Sequence, residues 1–352
     1  MPKETMTPRE RWLAVLTRRT PDRVPMDYWA TDEASQRLMR HLGCADVDTA
    51  LLKLHVDRPL SVGPQYVGPS IPADSDVFGM CYRDMDYGTG AYRECVYNPL
   101  AQYQSVDEIE RAYTWPNPDW WDYSAIRDQI AGQGDRPIRG GGSEPFLTYK
   151  SLRGQEQAFM DLVLNPEIVH YCLDKLFDLA YENTRRIFEQ IPGKVMITYV
   201  AEDMGSQGGL LFSPQQIRTF LLPRMKRIID LTHEGGAFVF HHNDGGCRGI
   251  LPDLIEAGID VLNPIQWRCR GMEREGLKRD FGDQLIFHGA MDNQYTLPFG
   301  TPEEVRQEAL DNLRILSAGG GYILRESMSC GPQTPAESIR AAVEAAREFG
   351  RY

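Results

Sequence analysis

The run Phe238-Val239-Phe240-His241-His242-Asn243-Asp244-Gly245-Gly246-Cys247 is the densest set of reactive side chains in the sequence. Side chains alternate along a strand, so His242 and Asp244 share one face while His241 and Asn243 take the other. A His-x-Asp pair followed by glycines that open a loop suits a metal site or an acid–base pair. The plainer reading is a hydrogen-bonded wall histidine, and Cys247, past the glycines, reads as structural. A second group closes the apolar run that ends Tyr199-Val200-Ala201-Glu202-Asp203. Glu202 and Asp203 are adjacent and cannot both face inward, and burying either one demands a partner, a metal or a raised pKa. The alternative for them is a loop carboxylate that caps backbone amides. A third run, Gly320 to Gly331, delivers Cys330 into a Gly/Pro loop. A thiolate there would complete a His242, Asp244 and Cys330 zinc set with one position open to water or substrate. Asp292 ends one further apolar run and is offered to a substrate.

The elements that must position these groups follow from periodicity. A helix over 8–19 and a short strand over 24–29 open the chain. Residues 60–120 are rich in Pro, Gly and Tyr, with two extended runs near 81–83 and 92–97 that predict a hairpin. From residue 136 onward, apolar strands begin near 136, 195, 238, 261, 285 and 321, and amphipathic helices separate them, among them helices expected over 151–164 and 214–233. Strands that are apolar throughout and alternate with helices imply a parallel sheet covered by helices, either open and doubly wound or closed as a (β/α)8 TIM barrel. The barrel is favoured because no G-x-G-x-x-G or P-loop follows a strand. In addition, five strands end in polar groups: Glu144, Glu202 with Asp203, His242 with Asp244, Asp292, and Glu326. Such ends converge on one mouth when the sheet closes. The expectation is one α/β domain over 1–352, with an N-terminal helical extension and 60–120 as an elaboration.

Composition narrows the function. The 352 residues carry 38 Lys and Arg against 50 Asp and Glu, so 38 − 50 = −12. That is the wrong sign for a surface that neutralises nucleic-acid phosphates or anionic membranes. No run approaches the roughly 20 apolar residues of a membrane span, and the first 25 residues lack an apolar core of signal-peptide length, so a cytoplasmic protein is expected. Seven cysteines form no CxxC pair and are expected to be reduced. A G-x-S-x-G elbow, an H-E-x-x-H helix and the corrinoid-binding D-x-H-x-x-G signature are all absent from the sequence.

Several stretches resemble the uroporphyrinogen decarboxylase superfamily, which holds tetrapyrrole decarboxylases and zinc- and corrinoid-linked methyltransferases. They are Pro8-Arg9-Glu10-Arg11-Trp12, Pro21-Asp22-Arg23-Val24-Pro25, Arg153-Gly154 to Asp161, Asn165-Pro166-Glu167, Leu211-Phe212-Ser213-Pro214, Leu297 to Val305, and Thr334 to Ile339. The resemblance implies a TIM barrel and a homodimer. The tetrapyrrole decarboxylases carry an arginine-rich segment after the first strand. Here Met26-Asp27-Tyr28-Trp29-Ala30-Thr31 has no arginine, and Asp27 would meet a polycarboxylate porphyrinogen unfavourably. Similarity to the methyltransferase branch places His242 on its zinc histidine and Cys330 on its later cysteine, with Asp244 standing where that branch has cysteine. Carboxylate for thiolate makes the ion harder and suits an ether or carboxylate oxygen better than a thiol.

The leading expectation is therefore a zinc-dependent methyltransferase that moves a methyl group between a small-molecule substrate and a corrinoid on a separate protein. His242, Asp244 and Cys330 would hold the Zn2+, with Glu202, Asp203 and His242 as catalytic groups. Glu144, Tyr199, Gln266 and Asp292 would bind substrate. The rivals are a cofactor-independent decarboxylase, with His242 delivering a proton, and a non-catalytic binding barrel.

Overall fold

The computed structural model describes residues 4–86, 88 and 90–351. Seven parallel strands form one curled sheet in chain order: β1 (Leu60–Val62), β2 (Ile138–Ser143), β3 (Ile197–Ala201), β4 (Phe238–His242), β5 (Val261–Ile265), β6 (Ile286–Met291) and β7 (Tyr322–Glu326). Strands β4 to β7 are almost wholly buried, as strands covered on both faces must be. Register sets Phe240 beside Tyr199, and His242 beside both Ala201 and Asn263. Residues that face the lumen therefore stack in layers.

An eighth stave comes from residues 25–31. Met26 bridges Leu324 and Ala30 bridges Cys330 in parallel, so this segment lies along the free edge of β7. Among the described residues no ladder joins it to β1. One backbone bond, from Asp57 N to the Met26 carbonyl at 2.7 Å, ties its lower end. Above that bond Asp27 to Ala30 face Arg58 to Ser61 across a cavity. The expected closed eight-strand ladder is thus a seven-strand sheet with a bridging stave and one open seam. Pro25 and Pro59 each remove a donor along it, and the helices Asp32–Leu42 and Val47–Lys53 are inserted between its two sides.

The N-terminal helix α1 (Pro8–Leu16) begins with a Thr7/Glu10 capping box and proline at its first turn. Trp12, Val15 and Leu16 pack on Ile197, Phe240, Val261, Ile286 and Ile323, which are lumen residues of β3 to β7. The helix therefore plugs the end of the barrel opposite the polar mouth. Arg11 pins it there by pairing with Asp22 at 2.7 Å and Asp57 at 2.5 Å, while Arg23 reaches the other Asp57 oxygen at 2.7 Å.

The remaining helices follow the periodicity with two departures. The stretch expected as one helix over 151–164 is two, Pro145–Arg153 and Gln155–Leu164, broken at Gly154 with φ +85°. In the helix expected over 214–233, Pro223 has no N–H to give, and the preceding turn Ile217–Leu221 widens to a π turn. The predicted hairpin is present as Cys81–Asp86 paired antiparallel with Ala91–Tyr97. Tyr87 and Thr89 of its turn lie outside the described residues. All seven cysteines are free, and among the described residues no helix is long and apolar enough to cross a membrane.

Candidate active site at the barrel mouth

Strands β3 and β4 end side by side, and each sends one carboxylate inward just past its last residue. Asp203, His242 and Asp244 gather there, with one ligand atom from each lying within 4.8 Å of the others. His242 Nε2 is 3.7 Å from Asp203 Oδ1 and 3.8 Å from Asp244 Oδ1. The two loops are interlocked by glycine. A Cβ at Gly205 would stand 2.5 Å from the Asp244 carbonyl oxygen, and one at Gly245, where φ is +82°, would stand 2.5 Å from Ser206 N. This backbone-on-backbone contact lets the Asp244 amide donate to Asp203 Oδ1 at 3.0 Å. Gln266 completes the frame, accepting from Gly245 N at 2.6 Å and donating from Nε2 to Asp244 Oδ1 at 3.1 Å. Burial pushes the Asp244 carboxyl upward against the pull of His242, and the charge of Asp203 adds to the push.

Behind His242 a closed chain of polar groups crosses the lumen. His242 Nδ1 lies 2.6 Å from Asn263 Oδ1, Asn263 Nδ2 lies 2.8 Å from His288 Nδ1, and His288 Nε2 lies 3.2 Å from Asp27 Oδ2. The protons along it follow from its far end. Burial opposes ionisation of Asp27, yet the bond and charge of His288 and the charge of Arg325 outweigh it, so its carboxyl stays below the ordinary range. An ionised carboxylate only accepts, so His288 Nε2 carries a proton. Burial holds His288 down to about 4 despite Asp27, so its Nδ1 is a bare acceptor at neutral pH. Asn263 must then donate from its nitrogen and accept at its oxygen, and His242 Nδ1 must be N–H. Nε2 is then the His242 nitrogen that faces Asp203 and Asp244. Asp27 is thus held by His288 and by the Tyr28 amide at 2.8 Å, and as an ionised carboxylate it keeps a negative charge on the cavity wall.

The other sequence-predicted residues divide. Glu144 is brought to the mouth beside the cluster, where burial first and the charge of Asp203 second raise its pKa to about 7. Tyr199 faces the lumen 5.5 Å from the His242 ring. Glu202 faces away: it is buried and accepts from Phe146 N at 3.0 Å with both oxygens, serving the first turn of the helix Pro145–Arg153. Burial pushes its carboxyl well up. His241 also points outward, to the Val200 carbonyl at 2.7 Å. Gln266 is bound up in holding Asp244. Asp292 pairs with Arg268 at 2.7 Å and accepts the amides of Gln294, Tyr295 and Thr296, so it organises its own loop. Cys330 is not brought to His242 and Asp244. It lines a separate small void with Met26, Met291, Leu297, Arg325 and Glu326, and the side chain gathered with His242 and Asp244 is that of Asp203. The bridge between Ala30 and Cys330 places that residue on the stave side of β7.

Sequence spacing does not single out Asn263, His288, Trp29 or Arg139. The available signal was strand alternation, since Asn263 lies two residues beyond Val261, and His288 two beyond Ile286, both lumen residues. Trp29 stacks on the His242 ring at 6.1 Å and 27°, and the Arg325 guanidinium lies 3.7 Å from its centroid. A cavity of about 1150 Å³ runs from the open seam into the lumen, where Trp29, Arg139, Tyr199 and Phe240 line it.

Parallel strands, covering helices and polar groups collected where the strands end define the class: a TIM-barrel-like protein with its site at the carboxyl ends of the strands. The model of the family "Uroporphyrinogen decarboxylase (URO-D)" matches residues 124–349, and the chain belongs to that family. Curated relatives include the uroporphyrinogen decarboxylase of Nostoc punctiforme, 26% identical over 216 residues covering 60% of this chain and 54% of that protein. The uroporphyrinogen decarboxylase of Magnetococcus marinus is also 26% identical, over 222 residues covering 60% and 55%. The matched region thus spans little more than half the length of these relatives. Among solved structures, a methyltransferase from Methanosarcina mazei superposes with a TM-score of 0.72 at 19% identity, covering 98% of this chain and 99% of that one. That likeness supports the fold.

Proposed function

We propose that this member of the uroporphyrinogen decarboxylase family is a zinc-dependent methyltransferase acting between a small-molecule substrate and a corrinoid carried by a separate protein. The observation that carries the reading is the gathering of Asp203, His242 and Asp244, with His242 Nε2 facing the two carboxylates. The donor set fits the ion: tetrahedral zinc with bonds of about 2.0–2.1 Å separates its ligands by roughly 3.3 Å, a small contraction from 3.7 and 3.8 Å. Three protein ligands leave a fourth position for substrate, and two carboxylates with one imidazole form a hard set suited to an oxygen ligand. Zinc bound there supplies a Lewis acid that polarises the heteroatom of the substrate. The chain itself does the rest. Gln266 and the interlocked glycines hold Asp244, the Asn263–His288–Asp27 chain holds the His242 tautomer, and Glu144 carries an exchangeable proton near neutral pH beside the reacting group. Trp29 and Tyr199 wall the imidazole from water.

Metal analysis by plasma mass spectrometry tests this reading. About one zinc per chain is expected in the purified protein, falling by roughly tenfold or more in folded His242→Ala and Asp203→Asn and staying near one in Cys330→Ser. Zinc retained in Asp203→Asn and lost in Cys330→Ser would overturn the ligand set. A carboxy-lyase is the second reading, favoured by one observation: Glu144, a carboxyl raised to about 7 by burial and by Asp203 at the mouth, can return a proton to carbon without a metal. Carbon dioxide release from a carboxylated substrate in metal-free buffer would select it.

A further inference from the structure

Arg139 leaves β2 into the lumen and lines the 1150 Å³ cavity. It makes no hydrogen bond or ion pair with any described residue. Its guanidinium lies 5.4 Å from the centroid of Trp29 and 5.6 Å from that of Tyr199, so two aromatic rings hold it in place. Aromatic contacts engage a guanidinium through its faces, and they leave the five N–H donors of its edge unanswered. The charge of Asp27 reaches Arg139, but its hydrogen bonds go to His288 and the Tyr28 amide and none joins it to the guanidinium. The two other arginines of the cavity differ: Arg58 pairs with Asp48 at 2.8 Å and Arg136 approaches the same carboxylate at 3.9 Å. Burial itself weighs against the charge of Arg139. A half-buried cation without a hydrogen-bond or ion-pair partner among the described residues, on the wall of a cavity large enough for a small-molecule ligand, has the form of a receptor for an anion.

We infer that Arg139 is the anion-recognising residue of the lumen, and that it takes a carboxylate or phosphate of the substrate in a bidentate contact. The plane of the guanidinium is fixed by Trp29 and Tyr199, and those same rings pack on the His242 imidazole. A ligand anchored at Arg139 therefore extends toward the cluster of Asp203, His242 and Asp244, with its anionic end in the lumen and its reacting end at the mouth. Among substrates of similar size this selects monoanions with a planar or tetrahedral oxyanion at one end.

This inference goes beyond the metal reading and does not need it, so its test is a binding measurement without metal. The protein is stripped with the neutral chelator phenanthroline, desalted, and titrated calorimetrically with benzoate, phenyl phosphate, inorganic phosphate and uncharged benzamide. At least one oxyanion is expected to bind, and benzamide about tenfold or more weaker. The carboxylate and phosphate arms tell which oxyanion is preferred. Arg139→Gln is expected to lose about tenfold or more of that affinity, and Arg139→Lys to keep the charge while losing the bidentate contact, at an intermediate value. Arg58→Gln serves as the control at the seam and is expected to bind as the unsubstituted protein does. Circular dichroism melts confirm that each variant is folded; should Arg139→Gln not fold, Arg139→Lys and the benzamide arm carry the test. Equal affinity for benzoate and benzamide, unchanged oxyanion affinity in the Arg139 variants, or no oxyanion binding at all would each overturn the assignment. None of these outcomes depends on whether zinc binds.

Discussion

Replacing Asn263 by leucine is the sharpest test of how the site is held. The amide of Asn263 is fully buried and does two jobs, accepting from His242 Nδ1 at 2.6 Å and donating to His288 Nδ1 at 2.8 Å. Leucine has the same branching, is bulkier and can do neither, so one buried donor and one buried acceptor lose their partners. Each such loss costs about 1–3 kcal/mol, so Asn263→Leu is expected to destabilise the apo protein by about 2–6 kcal/mol. An unfolding entropy of about 2.1 cal/mol/K per residue over 352 residues comes to roughly 0.7 kcal/mol/K. The expected fall in Tm is therefore about 3–8 °C by differential scanning calorimetry. Asn263→Asp makes a different demand. An ionised carboxylate beside His288 Nδ1 can only accept, and His288 already donates to Asp27, so the imidazole must become a cation between two acids. Its pKa should rise from about 4. Two-dimensional ¹⁵N spectra of ring-labelled histidine read both states directly. In the unsubstituted protein His288 should show a protonated Nε2 with a bare Nδ1, and His242 the reverse when neutral. A Tm for Asn263→Leu within about 1 °C of the unsubstituted protein, or a protonated Nδ1 on His288, would refute the chain of deductions that fixes His242.

Three further outcomes are expected. Arg153 and Asp161 pair at 2.6 Å with both side chains fully buried, so Asp161→Leu strands a guanidinium and should cost about 3–5 kcal/mol in calorimetric melts; a change below 1 kcal/mol would contradict that burial. Burial raises Glu326 from 4.5 to about 7 even though Arg325 and the Trp29 amide favour its charge. The folded state then holds a proton that the unfolded state has released between those two values, so stability should fall as pH rises from about 4.5 and level off above about 7. The drop is about 3 kcal/mol, and Glu326→Gln should remove it in melts compared at pH 5 and pH 8. Gly245→Ala must part the loops that carry Asp203 and Asp244, whereas Gly236→Ala, with φ +74° and nothing within 4 Å of the added Cβ, bears the backbone strain alone. Zinc content should fall in the first and hold in the second, although each costs about 1–3 kcal/mol in strain.

What lay in the sequence was everything that depends on local period. Alternation along β4 placed His242 and Asp244 on one face and His241 and Asn243 on the other, and the structure has them so. The same rule required Glu202 and Asp203 to part, and one became a helix partner while the other joined the mouth. Parallel strands divided by helices followed from apolar runs and caps, because those patterns are set by neighbours three or four residues away.

Tertiary structure decided which distant residues meet. The sequence grouped Cys330 with His242 and Asp244, whereas strand order and loop contact bring Asp203 to them, since the β7 loop carries Cys330 to the stave while glycines press the β3 and β4 loops together. Asp27, Asn263 and His288 are 236 and 25 residues apart in sequence, and only a curled sheet lines them up behind His242. The isolation of Arg139 is likewise a property of the lumen, because a charge lacks a partner only relative to everything folded around it. Sequence fixes side-chain chemistry and local direction, while closure of the sheet fixes distance, and the reactivity of this mouth depends on distance.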